Sequence, residues 1–345
     1  MAVHTEPFGS ARDGRPVEKI TLRRGGMEAE VITYGAALRA LRVPDRTGKP
    51  LDVVLGYKAV SAYEDNGGYV GAVVGRYANR IAGASCAIDG RMVSLVPNEG
   101  GKQLHGGPHG FSKQIFTIAE QAEDSVTLAC TAPDGLDGWP GELALQVAYY
   151  LTDCGLGIQY KAVSSKPTYC NITNHAYFNL DGGGDAMGQT LWVDADRFTP
   201  VGPDSIPLAM GQGVLGTPLD FTAEKPIARD IGADWEQLRN VGGYDHSFLL
   251  NPAQGLRLAA RLTGAASGIS MEVWTEKPAI QFYSGNFLNG PGGKGGVDYG
   301  PRMGVCLETQ FFPDSPNHPE WGDVVLRPGQ RYDYTTEFRF SVRQG

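Results

Sequence analysis

The chain has 345 residues, a net charge of −8 and 41% hydrophobic residues, a composition typical of a globular protein with a sizeable core. The acidic balance disfavours nucleic acid and anionic membranes as partners. The first twenty residues carry charges and lack the apolar stretch of a secretion signal, and the five cysteines are scattered without a CxxC pair. We therefore expect reduced thiols and a cytoplasmic protein.

Short strands with period-two alternation dominate the chain, and its 48 glycines favour a fold with many turns. The clearest case is a hairpin in which apolar residues alternate over 143–151 and again over 156–162. Further strands are predicted, in chain order, at 30–34, 125–130, 256–262, 270–274, 279–283 and 331–342. Helical spacing is confined to 58–64 and to a face formed by Ile231, Trp235 and Leu238. We predict an all-β fold, a single large antiparallel β-sandwich domain that spans residues 1–345.

Two polar strings each place one titratable residue inside an apolar, strand-like run. His175 lies in NITNHAYFNL (171–180), and Glu308 lies in GVCLETQFFPD (304–314). A histidine and a carboxylate form an acid and base pair if the fold brings them together. For either residue alone, a buried polar group whose hydrogen bonds are satisfied is the favoured interpretation, and the case for chemistry comes from the strings that accompany them.

Two glycine-rich strings precede them. GAVVGRYANRI (71–81) is not a phosphate loop, and Asn79 and Arg80 in it present amide and guanidinium donors to a polyhydroxyl ligand or pair with a carboxylate. His105 and His109 lie four residues apart, but the glycines and proline between them exclude a regular helix. A loop that presents His105 to a ligand is favoured over a metal site, which stays an alternative.

The next strings mix aromatic and hydrogen-bonding side chains. GGYDH (242–246) contains Asp245, and QFYSGNFL (281–288) contains Gln281. Sugars are bound in this way, because aromatic faces cover the C–H surface while polar side chains bind the hydroxyls. A rigid turn at 313–318 follows Glu308. We interpret the remaining histidines as structural: His4, His246 and His318.

Taken together, these strings resemble the aldose 1-epimerase (galactose mutarotase) family. The motifs GRYANRI, LHGG, NITNHAYFNL, GYDH, QFYSGNFL and LETQFFPD occur in the family order, and the similarity covers nearly the whole chain. The resemblance implies a β-supersandwich without metal or organic cofactor, with His175 as general acid and Glu308 as general base. It also implies sugar-binding roles for five residues: Asn79, Arg80, His105, Asp245 and Gln281. Glu99 and Lys102 stand where amide side chains are expected, and Ala176 stands where serine is common.

The expected activity is ring opening and closure of a free aldose such as glucose, galactose or a related sugar, in a monomer or homodimer. Because a sugar site is polar, we expect a neighbouring carboxylate to outweigh burial and to keep the pKa of His175 near or above its usual value. Three alternatives stay open. A glycoside hydrolase would use Asp245 and Glu308, a metal-dependent isomerase would use His105, His109 and His175 with a carboxylate, and a sugar-binding module would need no acid or base.

Overall fold

Residues 3–343 are described in a computed structural model of the chain, and strands account for most of its regular structure. The first half contains β1 (His4–Ser10), β2 (Pro16–Arg24), β3 (Met27–Ile32), β4 (Ala37–Pro44), β5 (Pro50–Asp52), β6 (Val73–Val74), β7 (Arg80–Ile81), β8 (Ser85–Ile88), β9 (Arg91–Ser94), β10 (Gln103–Leu104), β11 (Thr117–Ala122), β12 (Ser125–Ala132), β13 (Leu143–Leu151), β14 (Gly155–Ser164) and β15 (Thr168–Tyr169). The second half contains β16 (Thr173–Asn174), β17 (Tyr177–Phe178), β18 (Thr190–Val193), β19 (Arg197–Thr199), β20 (Gln212–Gly213), β21 (Lys225–Pro226), β22 (Asp245–Leu249), β23 (Arg257–Thr263), β24 (Ile269–Thr275), β25 (Ala279–Tyr283), β26 (Val305–Gln310), β27 (Val325–Leu326) and β28 (Tyr332–Val342). The α-helices are α1 (Val60–Asp65) and α2 (Glu236–Val241), and short 3₁₀ turns lie at Ala82–Ala84, Phe111–Lys113, Leu136–Gly138, Ile227–Arg229, Lys294–Gly296, Ser315–Asn317 and Pro319–Trp321.

Three larger sheets organise these strands. Their orders are β1-β2-β3-β4-β5, β11-β12-β13-β14-β28-β24-β23-β18-β21 and β17-β26-β25-β22-β19-β20. The paired strands run antiparallel, and the small ladders β7–β10 and β6–β16 are antiparallel as well. The predicted all-β class and antiparallel sheets are therefore confirmed.

Alternation along the strands explains how the core forms. In β13 the side chains at 143, 145, 147, 149 and 151 are buried, while Ala144 and Gln146 are exposed. Each fully buried apolar side chain of this size contributes about 1.5–3 kcal/mol. The largest apolar cluster draws on all three sheets, with Val31 from the first, Val147 from the second and Phe282 from the third. The sheets are thus held together by one shared core.

The predicted hairpin is present as β13 and β14, and the strand predicted at 279–283 is confirmed at both ends. The helical face predicted from Ile231, Trp235 and Leu238 is wrong, because α2 begins only at Glu236. Ile231 and Trp235 instead pack on the core from an irregular segment before the helix. Among residues 3–343, no helix is long and apolar enough to span a membrane.

Candidate active site

A polar cavity of about 450 Å³ is lined by residues from four neighbouring strands of the six-stranded sheet. Loops from the first half of the chain cover it, including the segment that follows α1. The sequence predicted seven site residues, and six of them line this cavity: Asn79, Arg80, His105, His175, Asp245 and Glu308. Residues that are more than two hundred positions apart in the chain therefore meet in one place.

Backbone hydrogen bonds fix the position of His175. Its N–H donates to the carbonyl of Ala72 (2.8 Å), and its carbonyl accepts from the N–H of Gly71 (2.9 Å). The buried imidazole lies beside the Tyr177 ring, with a centroid distance of 5.1 Å. Its Nδ1 is 3.5 Å from the Sγ of Cys306, so Nε2 is the nitrogen that faces Glu308.

Glu308 lies in the middle of β26, on the face of the sheet that forms the floor of the cavity. Cys306 has the same orientation because side chains two residues apart in a strand share a face. The Oε1 atom of Glu308 is 3.7 Å from the Nε2 of His175. Its Oε2 atom is buried and has no hydrogen-bond partner among the described residues. A buried carboxylate oxygen without a partner is costly, and a ligand hydroxyl would satisfy it.

Burial dominates the electrostatics of this pair. The pKa of His175 is lowered to about 4, chiefly by burial; a hydrogen bond with its own backbone opposes this shift, and the Arg80 charge adds to it. Burial raises the pKa of Glu308 well above its usual range, the Asp245 carboxyl adds to this rise, and Arg80 opposes it. The expectation that a neighbouring carboxylate would hold the His175 pKa near or above its usual value is therefore wrong. The cavity floor is nearly dry, so the desolvation of the imidazolium outweighs the attraction.

The loops that carry Asn79, Arg80 and His105 are joined by the β7–β10 ladder, in which Leu104 pairs with Arg80. Asn79 and His105 both have left-handed backbone conformations, with φ of 64° and 51°. The next position has no room for a side chain, because a Cβ on Gly106 would lie 2.1 Å from the Gly75 carbonyl carbon. Uncommon backbone conformations of this kind cluster at ligand sites, where surrounding contacts hold them.

The ring of His105 is fixed in one tautomer. Its Nδ1 accepts a hydrogen bond from the N–H of Asn79 (3.1 Å), so the proton of the neutral ring is on Nε2. Burial lowers the pKa of His105 well below its usual value, and His175 and Arg80 lower it further. A neutral ring with Nε2–H is a hydrogen-bond donor, which suits a sugar hydroxyl oxygen.

The same tautomer bears on the metal alternative. His105, His175 and Glu308 offer ligand atoms within 4.8 Å of one another, a donor set that divalent metals accept. An imidazole binds a metal through an unprotonated nitrogen, however, and the Nδ1 lone pair of His105 is already used by Asn79. His109, which that alternative required, pairs with Asp137 (2.9 Å) and does not join the cluster. The residues present therefore fit a sugar better than a metal ion.

Asp245 and Gln281 have different positions relative to the cavity. Asp245 lines it, and its Oδ1 accepts a hydrogen bond of 2.6 Å from the amide of Gln281. Gln281 is directly opposite Glu308 in the register of β25 and β26, but it does not line the cavity. The amide of Gln281 is turned toward Asp245 and holds that carboxyl in place, and a contact between Gln281 and a ligand stays a prediction.

The histidines interpreted as structural from the sequence lie away from the cavity lining. His246 is fully buried beside the Phe198 ring, and His318 stacks on Trp321 at a centroid distance of 3.9 Å.

The rigid turn after Glu308 does not line the cavity but supports the loop that carries Arg80. The N–H of Asp314 donates to the Arg80 carbonyl (3.0 Å), and its Oδ1 accepts from the N–H of Ala82 (3.0 Å).

Sequence reasoning missed several residues that line the cavity. Tyr69 lies edge-on to His105 at a centroid distance of 4.7 Å, and Tyr283, Phe287 and Asn289 also line the cavity. Aromatic residues in QFYSGNFL were a general signal of sugar binding, but nothing in the sequence placed Tyr69 near them. Glu99 also lines the cavity, where it forms an ion pair with Arg80.

Comparisons with known proteins identify the family of the chain. A model of the aldose 1-epimerase family matches residues 18–339. The chain is 43% identical over 336 residues to the aldose 1-epimerase of Escherichia coli K12, covering 96% of this chain and 97% of that protein. It is 41% identical to the galactose mutarotase of Bos taurus, covering 94% of each chain.

Solved structures give the same result. An aldose epimerase homologue from C. elegans superimposes with a TM-score of 0.88 at 31% identity, covering 94% of this chain and 99% of that one. A galactose 1-epimerase from Lactobacillus acidophilus superimposes with a TM-score of 0.87 at 27% identity, covering 99% of each. The fold, the matched length and the degree of identity lead to one conclusion: the chain belongs to the aldose 1-epimerase family.

Proposed function

We propose that the chain interconverts the α and β anomers of a free aldose, such as glucose, galactose or a related sugar, with His175 and Glu308 as the acid and base pair. The observation that carries this proposal is the buried Glu308, whose Oε1 is 3.7 Å from the His175 Nε2 and whose Oε2 has no partner among the described residues. The family membership established above supports the same activity.

The chemistry needs two proton transfers and no change in oxidation state. In ring opening, ionised Glu308 takes the proton of the C1 hydroxyl while protonated His175 gives a proton to the ring oxygen. The C1–O5 bond breaks and the aldehyde forms. Rotation about C1–C2 followed by the reverse transfers gives the other anomer and restores both side chains.

Proton counting explains why burial is compatible with this role. Ionised Glu308 with protonated His175 holds one proton, and so does protonated Glu308 with neutral His175. Burial favours the neutral combination, which is the state that the pair reaches when the ring opens. The sugar C1 hydroxyl must therefore stabilise the Glu308 carboxylate on binding, and the unpartnered Oε2 is free to accept that hydroxyl.

We further propose that Asn79, Arg80, His105 and Asp245 bind the sugar hydroxyls, and that Gln281 acts indirectly by orienting Asp245. His105 donates from Nε2, Asp245 accepts, and Arg80 donates. These contacts hold the pyranose so that O1 and O5 meet Glu308 and His175 together. No step requires a metal, a nucleotide or a covalent intermediate.

The cavity is built from one chain, so a monomer or a homodimer suffices for activity. We also propose a cytoplasmic location, which is consistent with the free state of all five cysteines. Neither nucleic acid nor a membrane is needed as a partner.

Polarimetry tests the proposal. Fresh α-D-glucose, α-D-galactose and several pentoses should approach their equilibrium rotation faster with the protein than without it. A rate equal to the spontaneous rate for every sugar would refute the proposed activity.

A further inference from the structure

Glu99 holds the Arg80 side chain through a two-point ion pair. The Nε of Arg80 donates to Oε2 of Glu99 (2.7 Å), and its Nη2 donates to Oε1 (2.9 Å). This parallel arrangement restrains a guanidinium more strongly than a single contact does. Because Nε and Nη2 are used, Nη1 is left on the side of Asp245, whose Oδ2 is 4.0 Å away.

The backbone around Glu99 is itself rigid. Glu99 and Lys102 pair across a tight turn whose central residues, Gly100 and Gly101, have φ of 53° and 83°. A two-residue hairpin turn of this type requires left-handed backbone conformations at both central positions, and glycine adopts them without strain. The Asn98 side chain closes the hairpin by accepting from and donating to the backbone of Leu104. Glu99 is therefore held in place before any ligand arrives.

The charges around the cavity give this ion pair a second consequence. Among the described residues that line the cavity, Arg80 is the one arginine or lysine, and four carboxyl side chains line the same cavity: Asp65, Glu99, Asp245 and Glu308. Burial alone would raise the pKa of Glu99, but hydrogen bonds and charge from Arg80, together with Lys102, hold it below its usual value. Glu99 is therefore ionised and compensates the guanidinium.

We propose that Glu99 is a positioning residue for Arg80: it fixes the guanidinium so that Nη1 faces the sugar, and it cancels the charge that would otherwise draw anions into the cavity. This inference rests on the proposed function, because it assigns Glu99 a role in the same site. It also predicts which ligands the site rejects. Inorganic phosphate and sugars that carry a phosphate or carboxylate find no uncompensated cation in the cavity.

Three variants separate geometry from charge. Glu99→Gln keeps the shape but removes the charge, Glu99→Asp keeps the charge but withdraws the two-point contact, and Glu224→Gln is the matched control. Glu224 also accepts two hydrogen bonds from one arginine, Arg343 (2.7 and 2.8 Å), and lies outside the cavity lining. Its side chain is 27% exposed, against 32% for Glu99. All variants are compared with the wild-type protein by polarimetry and by thermal unfolding.

For Glu99→Gln and Glu99→Asp we expect KM to rise about tenfold while kcat changes less, because alignment through Arg80 is lost and the acid and base remain. Only Glu99→Gln should also become sensitive to inorganic phosphate, with competitive inhibition that the wild type lacks. Without the Glu99 charge beside it, Arg80 should also shift both limbs of the pH profile of Glu99→Gln to lower pH, since its charge disfavours protonation of His175 and Glu308.

A double variant tests whether the effect passes through Arg80. In an Arg80→Ala background, Glu99→Gln should change neither KM nor phosphate inhibition. Equal effects in both backgrounds, or Glu99 variants that behave like Glu224→Gln, would overturn the inference. If Glu99→Gln does not fold, an unchanged KM in Glu99→Asp would overturn it alone. Wild-type protein without any polarimetric activity would instead refute the proposed function, so the two failures are distinguishable.

Discussion

Replacing Glu308 by glutamine is the most direct test of the proton-transfer scheme. At 3.7 Å, a carboxylate and an imidazolium attract each other by about 4–5 kcal/mol at an effective dielectric constant of about 20. Burial already lowers the pKa of His175 to about 4. Without the carboxylate, the imidazolium loses its counter-charge and His175 stays neutral at neutral pH.

Glu308→Gln should therefore lose both the proton acceptor and the protonated state of its partner. Each positioned acid or base contributes about 10²–10⁴-fold, so we expect kcat to fall by at least about 10³-fold. Binding of the sugar should change little, because the amide keeps the shape and an oxygen acceptor. Polarimetry gives kcat and calorimetry gives the dissociation constant, with Glu224→Gln as the control.

The stability of the same variant gives an independent check. The folded-state pKa of Glu308 lies well above 4.5, so the folded protein holds a proton that the unfolded chain releases as pH rises. The free energy of unfolding of the wild type should therefore fall as pH rises above 4.5. Glutamine cannot ionise, so Glu308→Gln should not show this fall. The unfolding midpoint of Glu308→Gln should thus equal that of the wild type near pH 4 and exceed it at pH 8. A kcat within tenfold of the wild type, or lower stability at pH 8, would refute the reasoning.

Three further predictions follow from the site. The wild-type pH profile of kcat/KM should be bell-shaped, with an acidic limb near pH 4 where neutral His175 gains a proton and an alkaline limb where the pair loses its last proton; an acidic limb near 6.5 would contradict the shifted pKa. Arg80→Ala and His105→Asn should raise KM more than they lower kcat; a kcat loss larger than that of Glu308→Gln would show that the binding and proton-transfer roles are assigned to the wrong residues. Exhaustive EDTA treatment should leave activity unchanged because Nε2 of His105 carries a proton; activity that returns only with a divalent ion would contradict that tautomer.

The fold was largely predictable because period-two alternation is a local property of the sequence. In β13 every second side chain is buried, so the pattern could be recognised without the structure. Two-residue strands such as β6, β7 and β10 were not predicted, since a pair of residues has no period. These short strands position His175 and Arg80, and their pairing depends on tertiary contacts.

The site was predictable in its residues but less so in their placement. Asp245 and Gln281 looked equivalent, because each is a polar residue among aromatics. Only the structure shows that Asp245 lines the cavity and that the amide of Gln281 donates a hydrogen bond to it. Glu99 was noted as a departure from the family pattern, but its pairing with Arg80 joins two loops that the sequence separates by 19 positions.

The protonation of the pair was the largest error, and its cause is physical. A sequence shows which charges are available to a histidine but not how much water remains around it. Here His175 and Glu308 are both almost completely buried, so the cost of charging either side chain exceeds their mutual attraction until a ligand intervenes. A pair that rests in its neutral state needs a hydroxyl group to become charged. In the proposed mechanism, catalysis and recognition are therefore coupled, because the sugar that is to be opened would supply the hydrogen bond that ionises the base.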